Sequence, residues 1–90
     1  LMPNHNRRKR KNRFFCVDCG VNVSDKKEHY FVHTSLWVGV ANLSIDQMCC
    51  ISCLEKRIKR QLNRNDFTDA YINNPKRNVM SSDLLAALRR

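Results

Sequence analysis

The five cysteines are the residues of this sequence whose spacing most clearly predicts chemistry. They form two tight groups: Cys16 and Cys19, then Cys49, Cys50 and Cys53. Each group contains a C-x-x-C pair, a spacing that turns two thiolates toward one metal ion, and Gly20 allows a tight turn behind the first pair. Two such pairs predict a closed site of four thiolates, for which zinc is the usual ion. The expected ligands of one structural Zn²⁺ are Cys16, Cys19, Cys50 and Cys53.

Other interpretations of the same cysteines are weaker. An odd number of cysteines in an intracellular chain argues against a disulfide framework, and a thioredoxin-type redox pair would need a βαβ context. Cys49 is left over, and we expect a buried thiol pointing away from the site, with the register between Cys49 and Cys50 left open. His29 and His33 could complete a two-cysteine, two-histidine finger, but the gap after Cys19 is shorter than the usual length of about twelve residues. We therefore expect both histidines to face solvent or cap a helix.

A closed site of four thiolates would be structural, because no position is vacant for water or substrate. Zinc binds finger peptides with about 10 to 16 kcal/mol at pH 7, which matches or exceeds the stability of a small domain. We therefore expect the metal-free chain to be largely unfolded. Four ionised thiols and one Zn²⁺ would lower the formal net charge of +9 to about +7, which is still basic.

Positive charge is concentrated at two places along the chain. Residues 1–15 carry six positive and no negative charges, residues 16–50 are mildly acidic, and residues 51–65 are basic again. Basic blocks of this kind are typical of a polyanion binder in which a flexible arm supplements a folded face, although a basic run can also be only a solubilising tail. The expected phosphate contacts are Arg7, Arg8, Lys9, Arg10, Lys11, Arg13, Lys56, Arg57, Lys59 and Arg60. The pattern does not distinguish DNA from RNA.

The helix that follows the second pair has a clear sequence signature. Ser52 and Glu55 have capping-box spacing, which predicts a helix from Cys53 with this ligand in its first turn. Its buried stripe would be Leu54, Ile58 and Leu62. Asp66 is expected to cap a further helical turn over residues 67–71.

The remaining elements are predicted from shorter signals. Residues 21–23 and 30–32 are expected to pair as a β-hairpin, and Thr34 or Ser35 to cap a short helix with Leu36, Trp37 and Val40. We expect Trp37, Phe14 and Phe15 in the core. The predicted organisation is a flexible basic arm over residues 1–13, a zinc-finger domain over 14–72, a linker over 73–80 and a C-terminal helix over 81–90, capped by Ser81 or Ser82.

A zinc knuckle, a hairpin and a second C-x-x-C entering a helix resemble the treble-clef zinc fingers, and this resemblance covers about residues 14–64. The C-x-x-C-G turn, the segments 29–32 and 50–57, Trp37 and the segment 66–68 are also similar to a group of small bacterial and phage proteins with no assigned activity. The resemblance implies metal binding and a small α+β zinc-stabilised fold. Some treble clefs are HNH-type nucleases, in which His29 or His33 would act as general base, but no histidine or asparagine follows at the expected place on the helix.

Length and composition limit the remaining classes of function. Ninety residues make one small domain, and with Gly20 and Gly39 as the only glycines no dinucleotide or Walker-type phosphate loop can be written. No apolar run is long enough to span a bilayer and no secretory signal is visible, so we expect a cytoplasmic protein. The leading hypothesis is a nucleic-acid-binding module. The alternative is a zinc-scaffolded protein-interaction adaptor that docks through the helix carrying Leu84, Leu85 and Leu88 or through the acidic middle segment, and a nuclease is less favoured.

Overall fold

The computed structural model describes residues 14–90, and the predicted basic arm over residues 1–13 lies outside them. The described part contains the helices α1 (Ile51–Ile58) and α2 (Ser82–Arg89). Between and before them lie a π-helical segment, Ser35–Val40, and two 3₁₀ turns, Arg64–Asp66 and Tyr71–Asn73. No helix in this part of the chain is both long and apolar enough to cross a membrane.

β-structure within residues 14–90 is limited to isolated bridges. These pair Phe15 with Asn22, Cys16 with Met48, and Val32 with Phe67. The predicted hairpin between residues 21–23 and 30–32 is therefore not formed. Residues 21–23 instead close the first cysteine turn, since Cys16 N–H donates to the Val21 carbonyl (2.8 Å) and Val23 N–H donates to the Phe14 carbonyl (2.9 Å). The Glu28 side chain that follows is fully buried.

Helix α1 begins at Ile51, with Cys50 in the N-cap position, rather than at Cys53 as predicted. The expected capping box is absent because Cys50 is the N-cap, so Ser52 lies within the helix. The Glu55 carboxylate accepts a hydrogen bond from the backbone N–H of Leu62 (2.8 Å). The helix ends at Ile58, before the last residue of the predicted stripe, since Lys59 adopts a left-handed conformation with φ of 62°. A left-handed residue is a common helix terminator, but it is usually glycine or asparagine, so a lysine at this position carries no recognisable stop signal.

The apolar stripe predicted for this helix is nevertheless buried. Leu54 and Ile58 are residues of the helix and Leu62 follows its end. All three belong to the hydrophobic core. After Leu62, Asn63 and Asp66 form a capping box around the 3₁₀ turn. The helical turn expected over residues 67–71 is therefore wrong, because Phe67 is extended and pairs with Val32.

Of the two predicted caps of helix α2, Ser81 is the one formed, and its hydroxyl accepts a hydrogen bond from the N–H of Leu84 (3.1 Å). Leu84 and Ala87 are fully buried, and α2 packs against α1. The Arg90 guanidinium reaches the Glu55 carboxylate (3.3 Å) and the Leu62 carbonyl (3.2 Å). This helix therefore completes the same core as α1, and Leu84, which in the adaptor alternative was expected to dock onto a partner, is buried inside this chain instead.

The aromatic residues differ in how well their burial was predicted. Trp37 packs against the core, and its indole N–H donates to the Ser44 carbonyl (2.7 Å). Phe14 and Phe15, expected in the core, are each 41% exposed, and Phe15 pairs with Asn22 where the chain enters and leaves the first cysteine turn. The predicted short helix after Thr34 is formed, but as a π-helical segment in which Ala41 N–H bonds to Leu36 C=O.

Candidate metal centre

The sulfur atoms of the four predicted ligands come together. Cys16, Cys19, Cys50 and Cys53 offer sulfur atoms that all lie within 4.8 Å of one another. The Cys19 and Cys50 sulfurs are 3.7 Å apart. Tetrahedral zinc with bonds of about 2.3 Å would place its sulfur ligands about 3.8 Å apart. The donor set therefore fits one tetrahedral metal ion, and none of the five cysteines forms a disulfide.

The first half of the centre is a tight backbone turn. The N–H of Cys16 donates to the Val21 carbonyl (2.8 Å), and the N–H of Gly20 donates back to the Cys16 carbonyl (2.9 Å). Gly20 has φ of 79°, a left-handed conformation that residues with a Cβ adopt only at a cost. The glycine of the C-x-x-C-G pattern is thus what allows Cys16 and Cys19 to face the same point.

The second half of the centre is the N-terminus of α1. Cys50 occupies the N-cap and Cys53 the first turn, where the helix dipole and free backbone amides favour negative charge. The two halves are joined by the bridge between Cys16 and Met48, in which Val17 N–H donates to the Met48 carbonyl (2.9 Å). This pairing brings residues that are far apart in the sequence to one site.

The pKa values of two of the ligand thiols are shifted in opposite directions by their surroundings. Burial raises the pKa of Cys16, but backbone N–H groups of Cys19, Cys50 and Asp18 outweigh it and lower this pKa to about 6. Burial, followed by contact with the neighbouring thiols, raises the pKa of Cys53. Clustered thiolates repel one another, and a divalent cation at the centre would remove this penalty.

Cys49 is buried, as predicted, and lies outside the group of four ligands. Its sulfur is 4.0 Å from that of Cys16, so the thiol borders the centre instead of pointing away from it. Burial, together with the nearby Cys16, raises the pKa of Cys49. The register that the sequence left open is decided in favour of Cys50.

Arg57 forms hydrogen bonds next to the metal centre, although the sequence predicted it as a phosphate contact. Its guanidinium makes two hydrogen bonds of 2.7 Å to the Asp18 carboxylate, between the two cysteines of the first turn. A third hydrogen bond goes to the Ala41 carbonyl (2.8 Å). The hydrogen bonds from Arg57 lower the pKa of Asp18. This residue thus connects α1 to the first cysteine turn.

Glu28 is a structural residue that the sequence reasoning missed. Its carboxylate accepts hydrogen bonds from the N–H of Ile51 (2.9 Å) and from the Ser81 hydroxyl (2.7 Å), and the Lys26 ammonium is 3.7 Å away. One buried anion therefore holds the N-termini of both helices. A glutamate in a polar stretch is usually a solvated turn residue, so the sequence pattern does not indicate burial. Only the tertiary contacts identify Glu28 as a buried structural residue.

The other cations of α1 and its C-terminal end fall into two groups. Lys56 and Lys59 are exposed and have no ion-pair partner within residues 14–90. Arg60 makes two hydrogen bonds of 2.8 Å to the Asp66 carboxylate. Arg57 and Arg60 are thus ion-paired, which leaves the two lysines as the unpaired cations of this predicted face. His29 and His33 are not in the ligand group.

No protein-family model, curated protein or solved structure matches this chain. What can be inferred about its function therefore comes from the geometry of the metal centre and from the distribution of charge.

Proposed function

We propose that this chain is a zinc-stabilised module that binds nucleic acid through the phosphate backbone. Zinc is favoured because four soft thiolates at tetrahedral spacing form the donor set of a structural zinc site. One turn supplies two ligands and a helix N-terminus supplies the other two, and this division of the ligands supports the proposal of a treble-clef-like site. Such a site needs reduced thiols, so we propose a reducing compartment such as the cytoplasm.

The ion would act as a scaffold in this proposal. Cys16 and Cys19 lie on one side of it and the start of α1 on the other, so their attachment to one centre would hold the two halves of the domain together. Four thiolates leave no coordination position for water or substrate. The expected consequence of binding is therefore folding.

The observation that carries the proposal is where the charge lies. Six of the cations precede residue 14, with no acidic residue among them, and Cys16 follows almost directly. A basic arm joined to the metal scaffold would neutralise phosphates and release their counterions. Lys56 and Lys59 would add contacts from the folded part, because their ammonium groups are exposed and unpaired within the described residues.

The test is nucleic-acid affinity as a function of salt. Eight contacts, from the six arm cations and the two lysines, predict a slope of log K against log salt of about −7 on duplex DNA. A variant lacking residues 1–13 should retain a slope of about −2. The matched control replaces the six arm cations by glutamine at unchanged length. No binding at low salt, or binding that salt does not weaken, would contradict the proposal.

A second candidate function, a protein-interaction adaptor, is favoured by an exposed apolar region. Phe31 is 60% and Ile45 85% exposed. They border a cavity of about 240 Å³ whose wall includes Trp37 and Met48, which suits an apolar side chain of a partner protein. A protein that co-purifies with the chain through this region should be lost with Ile45→Lys and retained with Ile45→Leu.

A further inference from the structure

A second cavity lies between the turn that precedes Glu28 and the segment that precedes α2. Its volume is about 250 Å³, and its lining consists of Ser24, Lys27, His29, Ile72, Asn78 and Val79. None of these residues is a ligand of the metal centre. The cavity is therefore a separate feature of the surface.

The side chains around this cavity supply hydrogen-bond donors that the fold does not use. The Lys27 ammonium, the His29 ring and the Ser24 hydroxyl have no hydrogen-bond or ion-pair partner among residues 14–90, and no carboxylate belongs to the lining. Asn78 fixes one wall, since its amide donates to the Tyr71 (3.0 Å) and Asn74 (3.1 Å) carbonyls. Unpartnered donors beside a cationic group, with no acid among them, suit an anion with several oxygens.

The backbone of Lys27 is unusual for a lysine. Its φ is 62°, in the left-handed region that glycine or asparagine occupies at lower cost. Hydrogen bonds hold this conformation from both sides, because Lys27 N–H donates to the Ser24 carbonyl (3.2 Å) and the Lys27 carbonyl accepts from Ser81 N–H (3.0 Å). The start of the lysine side chain is thus fixed at the cavity. Local strain of this kind is often found at functional positions.

The cavity also lies beside the point where the basic arm joins the domain. The Phe14 ring meets the His29 ring edge-on, with centroids 6.0 Å apart. Val23 N–H donates to the Phe14 carbonyl (2.9 Å), which holds residue 14 next to the turn. A polyanion bound by the residues immediately before Phe14 would therefore come close to Lys27 and His29.

We propose that this cavity binds a phosphate group, with Lys27 as the cationic contact and His29 and Ser24 as hydrogen-bond donors. Bound there, one phosphate of a nucleic acid would be held at the base of the arm, as a ninth contact in addition to the eight counted above, a role that rests on the proposed function. The same side chains would also bind inorganic phosphate. The experiments below therefore distinguish a phosphate of nucleic acid from free phosphate.

The decisive variant is Lys27→Gly in the full-length, zinc-loaded chain. Glycine suits the left-handed backbone, so the variant should keep its thermal stability while losing the ammonium group. Removing one phosphate contact should reduce the salt slope on duplex DNA by about 0.9, which at 0.1 M salt is an affinity loss of about eightfold. Arg89→Gln, an exposed cation on α2 outside the cavity, is the control for net charge and should leave the slope unchanged.

Inorganic phosphate is the second probe, with chloride at equal ionic strength as its control. In NMR spectra of the wild-type chain, phosphate should shift the His29 ring and Lys27 amide signals, and Lys27→Gly should abolish the His29 shift. If DNA binds, but Lys27→Gly leaves the salt slope unchanged and phosphate does not shift the His29 and Lys27 signals, the phosphate site is refuted and the proposed function stands. If phosphate shifts the signals but DNA does not bind at low salt, the cavity is a site for free phosphate and the nucleic-acid function is refuted. If neither occurs, both are refuted.

Discussion

Removing the Glu28 carboxylate should destabilise the fold more than any exposed substitution. Glu28→Ala leaves the Ile51 N–H and the Ser81 hydroxyl without their acceptor in a fully buried position. Hydrogen bonds to a charged group contribute about 1.5 to 3 kcal/mol each, and the alanine also leaves a cavity. We therefore expect the free energy of unfolding to fall by about 3 to 5 kcal/mol.

Metal competition is the most sensitive assay for this change. If the metal-free chain is unfolded, lost folding free energy becomes lost apparent zinc affinity, so the chelator competition should shift by about two to three and a half orders of magnitude. Glu28→Gln, which keeps an oxygen acceptor but loses the charge at the N-terminus of α1, should cost about 1 to 2 kcal/mol.

Two comparisons identify the cause of the loss. Asp46→Asn removes an equal charge from an exposed side chain and should change stability by less than about 0.5 kcal/mol. Glu28→Ala combined with Ser81→Ala should give a coupling energy of about 0.5 to 3 kcal/mol. If Glu28→Ala cost no more than Asp46→Asn, the inference that this carboxylate holds the two helix N-termini would be refuted.

Three further outcomes follow from the site. Native mass spectrometry should find one metal per chain in Cys49→Ala and none in Cys53→Ala, and equal loss in both would show that Cys49 is a ligand. Arg57→Ala should lower stability by about 1 kcal/mol in thermal unfolding and Arg57→Lys should not restore it, because both bonds to the Asp18 carboxylate require a guanidinium. The hydrogen bonds from Arg60 lower the pKa of Asp66, so its stabilisation is complete above the unfolded pKa of about 3.9 and is lost only as the pH falls through the lower folded value. The stability difference between wild type and Asp66→Asn should therefore be constant from pH 5 to 8, and a difference that closes within this range would contradict the ion pair.

Some features could be predicted because they depend on neighbours in the sequence. C-x-x-C pairs place two sulfurs on one turn wherever the chain goes next, and Ser81 caps the residues that follow it. Helix α1 was predicted with wrong ends, since its start depends on Glu28 and its end on a left-handed Lys59. Neither cause leaves a local pattern.

The predicted roles of the charged residues show the same limit. A basic helix face was read from residue type alone, which cannot tell a free cation from a paired one. Arg57 and Arg60 have carboxylate partners, while Lys56 has none within the described residues. The partner of Arg57 is in the first cysteine turn, and this pairing exists only once the two halves of the centre have met.

By itself, the sequence determined that a metal centre would be built from two C-x-x-C pairs, that the leucine stripe would be buried and that the charge would be unevenly distributed, because these follow from residue type and short-range spacing. The tertiary structure decided the choice of Cys50 over Cys49, the loss of the hairpin and the burial of Glu28. Those outcomes depend on which hydrogen bonds form between groups that are distant in the sequence once water is excluded. A local sequence pattern carries no information about these partners.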